Sequence, residues 1–352
     1  MDTSELCEGS QEVAESLVLR YSLMFNVLCG VTAIPLVLWV IKATYNHKLV
    51  HYNIKWILIF HLSCLVAHDI FRIINHVWDI SIFLMSSPGD CNVFDISRCI
   101  IIRAPINLTM YLAFSGTFML SIESYTPKAD FGLDITDDDH EKSMVLPEIP
   151  FQVHVECYQL LIHIVTAVAF MCIVYMKLDY QKLMTYCLIT SLSPPSLVLG
   201  SIFSLLILQV TAVVTFEVLM RINKAKKRNL LHSRNVHFNG GVISKLYQVR
   251  ENVRTMKTLM LFFLLSCVNS FCYNFLRGFV HWHKPRFSRP LFFALIEVSI
   301  HLPQFSLILP AVLWYSYRKV SREAEVKHRE KLDRDAPENT KLHFDMIAES
   351  WK

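Results

Sequence analysis

Residues 196–216 read SLVLGSIFSLLILQVTAVVTF, residues 221–257 read RINKAKKRNLLHSRNVHFNGGVISKLYQVRENVRTMK, and residues 258–276 read TLMLFFLLSCVNSFCYNFL. The outer two stretches carry no charge, and each is close to the roughly 20 apolar residues that cross a bilayer. The middle stretch holds ten of the chain's 34 Lys and Arg residues and one acid, Glu251. Loops retained in the cytoplasm collect Lys and Arg. The pattern predicts two membrane spans joined by a basic inner loop, where a cytosolic partner can dock.

Working outward, the same apolar blocks recur. The chain is 53% hydrophobic and 18% charged, against about 25% charged for a soluble domain. Seven segments are predicted to span: Tyr21–Ile41, Trp56–Trp78, Ile100–Ile122, Cys157–Met176, Ser196–Met220, Thr258–Val280 and Pro290–Tyr317. In hydrocarbon every backbone polar group needs an internal partner, so these must be helices. The expected fold is an all-α membrane protein, a seven-transmembrane helix bundle. With residues 221–257 inside, its N-terminus is outside and its C-terminus inside. Lys42, Lys48, Lys55, Arg318, Lys319 and Arg322 agree, whereas the outer loop His281–Arg289 is mildly basic. The chain thus divides into an extracellular N-terminus (1–20), a seven-span membrane domain (21–317) and a cytoplasmic tail (318–352). Residues 1–16 lack the basic start and apolar core of a signal peptide. A net charge of +4, with the basic residues mostly between spans, argues against nucleic-acid binding.

Ten cysteines without CxxC spacing speak against a metal cluster. Cys7, Cys91, Cys99 and Cys187 fall on the expected outer side, where disulfides persist. A Cys99–Cys187 bridge would tie the loop before the fifth span over the bundle mouth, with Cys91 as the competing partner. The sequon Asn107-Leu108-Thr109 lies within a span. In the tail, Glu323–Lys327 and Glu325–Arg329 have the i,i+4 spacing of a short solvated helix.

Ionisable groups at membrane depth are costly and mark functional candidates. Asp69 and Arg72 lie in the second span, Arg103 in the third, Arg277 in the sixth, and Glu297 and His301 in the seventh. Counting about 1.5 Å per residue brings Asp69 level with Arg103, and Arg277 level with Glu297. These six are candidates for an outward-opening ligand pocket. The competing reading is interhelical pairing that serves assembly. Asn269, Asn274 and His163 are expected to act as interhelical glue, and Pro35, Pro105, Pro303 and Pro310 to bend their helices. No phosphate loop, His-Glu-x-x-His or nucleophile elbow is present, so neither an enzyme nor a cofactor is expected. The internal repeats common in transporters are missing too.

Four short motifs point to a family. His51-Tyr52-Asn53-Ile54-Lys55 precedes the second span; Phe216 to Lys224 ends the fifth with Asn223-Lys224. Tyr186-Cys187 stands in the second outer loop, and Lys245-Leu246-Tyr247-Gln248-Val249-Arg250-Glu251-Asn252 enters the sixth span. In this order they resemble the nematode serpentine chemoreceptors of the alpha/beta class (Srab), siblings of the alpha class. The resemblance implies a receptor of G-protein-coupled type for small chemical cues, in the plasma membrane of sensory neurons and their cilia. Its implied partners are a small-molecule ligand, a heterotrimeric G protein and the bilayer. It makes Glu123, Tyr125, Lys224, Lys245, Tyr247, Gln248, Arg250 and Asn252 the coupling candidates. The chain departs from the pattern at Glu123-Ser124-Tyr125, where Ser124 replaces the expected arginine, so coupling falls more heavily on the basic loop. The alternatives are a ligand-gated channel subunit and a non-signalling carrier or assembly partner.

Overall fold

The computed structural model describes residues 3–46, 52–87, 91–123, 149–176, 178, 180, 182–188, 193–233 and 240–350. A short helix α1 (Thr3–Glu15) precedes the long helices α2 (Leu17–Asn46), α3 (Tyr52–Met85), α4 (Ile96–Glu123), α5 (Ile149–Tyr175), α6 (Pro195–Ser233) and α7 (Gly240–Trp282). The last pass is split into α8 (Arg289–Ser299) and α9 (Leu302–Ser350). Among the described residues six stretches are long and apolar enough to cross a membrane, and Leu160–Tyr175 of α5 is a shorter apolar one. The α8–α9 pair makes one of the six, Arg289–Glu323.

The membrane-spanning stretches are apolar on most sides, and burial reveals which side faces the bundle. In α2 the inward positions Leu19, Leu23, Asn26, Gly30, Ala33, Val37, Val40 and Thr44 recur every three or four residues, the spacing of one helical face. Tyr21, Leu28, Leu38 and Trp39 look outward. Asn26 and Thr44 lie on that inner face. α2 packs against α3 and α9, α4 lies against α3, α5 and α6, and α7 lies against α6 and α9. The largest apolar core includes Leu58, Leu62, Met110, Phe262, Leu309 and Leu313.

The break in the last pass follows from Pro303. A proline has no N–H, so the Ser299 carbonyl, which a continuous helix would bond to residue 303, has no backbone donor. His301 meets it instead, with Nδ1 2.7 Å away. The helix then resumes with Phe305 N–H donating to the His301 carbonyl at 3.0 Å. Irregular backbone at this depth is tolerated because protein surrounds it.

A lid closes the end of the bundle that carries the N-terminus. α1 is disulfide-bonded through Cys7 to Cys91, and its Ser10 hydroxyl donates to the Asn92 carbonyl at 2.6 Å. Two short antiparallel strands, β1 (Phe94–Asp95) and β2 (Leu183–Met184), pair Phe94 with Met184 and Asp95 with Leu183. Cys99 bonds Cys187, the expected bridge, while the competing Cys91 is taken by Cys7. Beneath the lid Val13, Leu19, Phe83, Tyr186, Phe292 and Phe293 form an apolar seal.

Packing is close where α4 meets α3. A Cβ added at Gly116 would stand 2.9 Å from His61 Nδ1. That ring is buried and set edge-on against Phe262 at 5.3 Å. Gly116→Ala is therefore expected to cost about 1–3 kcal/mol through overpacking. At Gly278 an added Cβ meets nothing within 4 Å, so Gly278→Ala is expected to be neutral or stabilising, because alanine is the better helix former. Thermal unfolding of the detergent-solubilised variants checks the pair.

Candidate functional site

α3 carries a run of polar side chains: His68, Asp69, Arg72, Asn75, His76 and Asp79, all buried. Their spacing of three and four residues puts most of them on one helical face. That face meets α4, α8 and the loop holding Tyr186, and all of these converge on Glu297. The carboxylate is fully buried, with 0% exposure. Arg72 Nη2 lies 3.1 Å from its Oε2, and Arg103 Nη1 lies 2.9 Å from its Oε1. The Tyr186 hydroxyl donates to Oε1 at 2.8 Å, and His76 Nε2 is 3.6 Å from Oε2.

Further contacts fix the partners. Arg103 Nη2 donates to the Tyr186 hydroxyl at 2.9 Å and lies 3.5 Å from Asp79 Oδ2. Asn75 Nδ2 donates to the same Asp79 oxygen at 3.1 Å. Arg72 Nε donates to His76 Nε2 at 3.0 Å, and its Nη2 also donates to the Glu297 backbone carbonyl at 2.7 Å. That carbonyl sits in the last turn of α8, where helical donors run out. The helix break and the charge cluster are therefore one construction. Asn26 Nδ2 reaches the same carbonyl at 3.4 Å, and Gln304 Nε2 donates to Asn26 Oδ1 at 3.0 Å.

The pairings differ from those that helix counting predicts. Arg103 engages Glu297 and Asp79, not Asp69. Both Asp69 oxygens lack a hydrogen-bond partner, with the Ser306 hydroxyl beside them out of bonding geometry. Arg277 does not reach Glu297; its Nη1 donates to the Tyr273 hydroxyl. His301 serves the helix break. Helix counting fixes depth but not rotation, and rotation sets Glu297 toward α3 and α4. Asn75 and His76 carry no weight in the sequence reading, Tyr186 enters it only within a family motif, and Asp79 falls one residue beyond the second predicted span. The polar periodicity of α3 is the signal that would have found three of them; Tyr186 has no local signal. In this packing the cluster lies sealed under the lid. A cavity of about 310 Å³ remains outside it, lined by Leu6, Lys182, Tyr186, Lys284 and Phe293 among others.

At the opposite end, the α6, α7 and α9 helices part around a crevice of about 510 Å³. Lys224, Lys257 and Lys319 line it with Met220, Leu261 and Tyr315. Just above, Phe216 and Phe263 stack with ring centroids 4.1 Å apart. Asn223 Nδ2 lies 3.4 Å from the Met256 sulfur. Lys224 thus falls at this crevice, and Arg250 is exposed on α7. Tyr125 lies outside the described residues, as do the side chains of Glu123, Lys245, Tyr247, Gln248 and Asn252.

The chain thus combines membrane passes, two disulfides at one end and a lysine-lined crevice at the other. Residues 4–128 and 152–352 match the family described as serpentine type 7TM GPCR receptor class ab chemoreceptor. The chain belongs to this Srab family. No curated protein matches it. The four motifs that carried the resemblance all fall within the matched residues. This Srab receptor is a multi-pass membrane protein with disulfides on its N-terminal face.

Breaking its charge cluster is expected to be costly. Glu297→Gln keeps the shape but leaves Arg72 and Arg103 short of a countercharge, a loss of about 3–5 kcal/mol when a buried pair is broken. Tyr186→Phe removes one hydrogen bond to a charged group, about 1.5–3 kcal/mol. Melting curves of the two variants should show the glutamine as the more damaging.

Proposed function

We propose that this Srab receptor binds a small chemical cue from outside the cell and signals to a heterotrimeric G protein within. In this reading the lidded face is extracellular, and the Arg221–Lys257 segment, helical to Ser233 and again from Gly240, faces the cytosol of a sensory neuron with the crevice, the plasma membrane of its cilium being the site of action. The observation that carries the proposal is the basic crevice between α6, α7 and α9 in a chain of a chemoreceptor family.

The geometry supports a route between the two ends. Tyr186 belongs to the loop over the bundle, yet its hydroxyl bonds the Glu297 carboxylate. Glu297 in turn holds Arg72 just above the α8–α9 break. A ligand that displaces Tyr186 alters the balance of charges at that break, and α9 borders the crevice. A cue with different affinity for the two packings shifts their populations. Ser124 stands where the family pattern has an arginine, which leaves the lysines of α6, α7 and α9 and the basic loop as the contact with the partner.

Charge reversal at Lys245 and Arg250, or at Lys224 and Lys257, is expected to abolish cue-evoked G-protein reporter signal while surface expression stays normal. Expression with a G-protein reporter and simultaneous current recording against a chemical panel is the measurement. Signal unchanged in the reversed variants sinks the coupling surface, and current without G-protein dependence favours a channel. An N-terminal tag is expected to be accessible on intact cells.

A further inference from the structure

Three arginines are buried in the half of the bundle next to the lid. Arg72 and Arg103 both have acidic partners within salt-bridge distance. Arg277 has none among the described residues, although it is only 5% exposed. Its Nε lacks any hydrogen-bond partner, and its Nη1 donates to the Tyr273 hydroxyl.

Its position rules out an easy escape to water. Arg277 lies five residues before the end of α7 at Trp282, roughly 7 Å below it at the helical rise. Side chains lean toward the start of their own helix, which for α7 is the opposite face. The bond to Tyr273, one turn back, draws the guanidinium deeper instead of letting it snorkel. The charge is thus held inside, with the Tyr273 ring centroid 5.5 Å from Cζ.

Among the described residues the surroundings offer donors but no anion. The phenols of Tyr111 on α4 and Tyr175 on α5 are within electrostatic reach of the Arg277 charge, and the Asn107 amide donates to the Tyr175 hydroxyl. Leaving a buried charge without a countercharge costs several kcal/mol, and a methionine of similar bulk would carry no such penalty. Guanidinium is also the side chain best shaped to grip a carboxylate with two parallel hydrogen bonds.

We infer that the cue is an organic anion, a carboxylate or a group of like charge, whose acidic head pairs with Arg277 among the hydroxyls of Tyr111, Tyr175 and Tyr273. The inference rests on the receptor reading above. It names the ligand's chemical class and the residue that selects it. Binding supplies the missing countercharge, so the ligand-free receptor is the strained partner and the bound one is relieved.

The test uses the purified full-length receptor in lipid nanodiscs and reads thermal unfolding. The probes are butanoate, octanoate, dodecanoate and benzoate, each beside its methyl ester. Expected results are that at least one acid raises the melting temperature and its ester does not. Arg277→Met should lose the rise and Arg277→Lys should keep part of it. Without any probe, Arg277→Met is expected to melt above the unsubstituted receptor, because an uncompensated charge is gone. The inference is overturned if no acid stabilises, if esters match acids, if Arg277→Met responds equally, or if the ligand-free variant melts lower. These melts need no G protein, so failed coupling leaves them readable. A neutral cue that signals undiminished through Arg277→Met would sink the anion site and leave the receptor reading standing.

Discussion

A carboxylate sealed from solvent inside a membrane protein must be surrounded by cations and donors, and Glu297 gathers them from three places. Arg72 and His76 come from α3, Arg103 from α4, and Tyr186 from the loop that roofs the bundle. Pairing of this kind gives little net stability over an apolar core, yet losing one partner is expensive. The cluster therefore specifies which faces of the helices meet. It also makes the lid part of the core, because the loop supplies a phenol that the carboxylate needs.

Cysteine chemistry reinforces that choice. The Cys99–Cys187 bond places Tyr186 next to a covalent anchor on α4, only four residues before Arg103. The Cys7–Cys91 bond fastens α1 across the same entrance. Anchor, phenol, arginine and carboxylate form a short chain of fixed distances from the surface of the bundle to its interior. The shared hydrogen-bond network restricts rotation of Arg103 as well as of Glu297.

Much of this was legible in the sequence, and the reasons differ by level. Span positions follow from apolar length, which composition reports directly, and the seven-pass reading agrees with the family match. The Cys99–Cys187 bridge follows from topology. Specific charge pairs did not follow, because Arg103 and Glu297 are matched by helix rotation and tilt, which residue counting leaves free. Asp79 was missed because the predicted span ends at Trp78, whereas α3 continues through Ile80, Ile82, Phe83 and Leu84 to Met85. Tyr186 was visible only as half of a family motif, and nothing local shows that a loop tyrosine reaches a buried glutamate. Arg277 is the opposite case: its identity was plain, and its isolation emerges only when its neighbours are known.

The break at Ile300–His301 has a mechanical consequence. α8 is pinned near the lid through Glu297, while α9 runs unbroken from Leu302 to beyond Glu323 at the crevice. That portion is roughly 30 Å long at the rise of an α-helix. In the proposed switch it would act as a lever with a short arm and a long one. A tilt of about 10° at the joint, too small to disturb many contacts near the pivot, carries the far end through roughly 5 Å. One missing backbone donor at Pro303 thus gives the molecule a gear ratio.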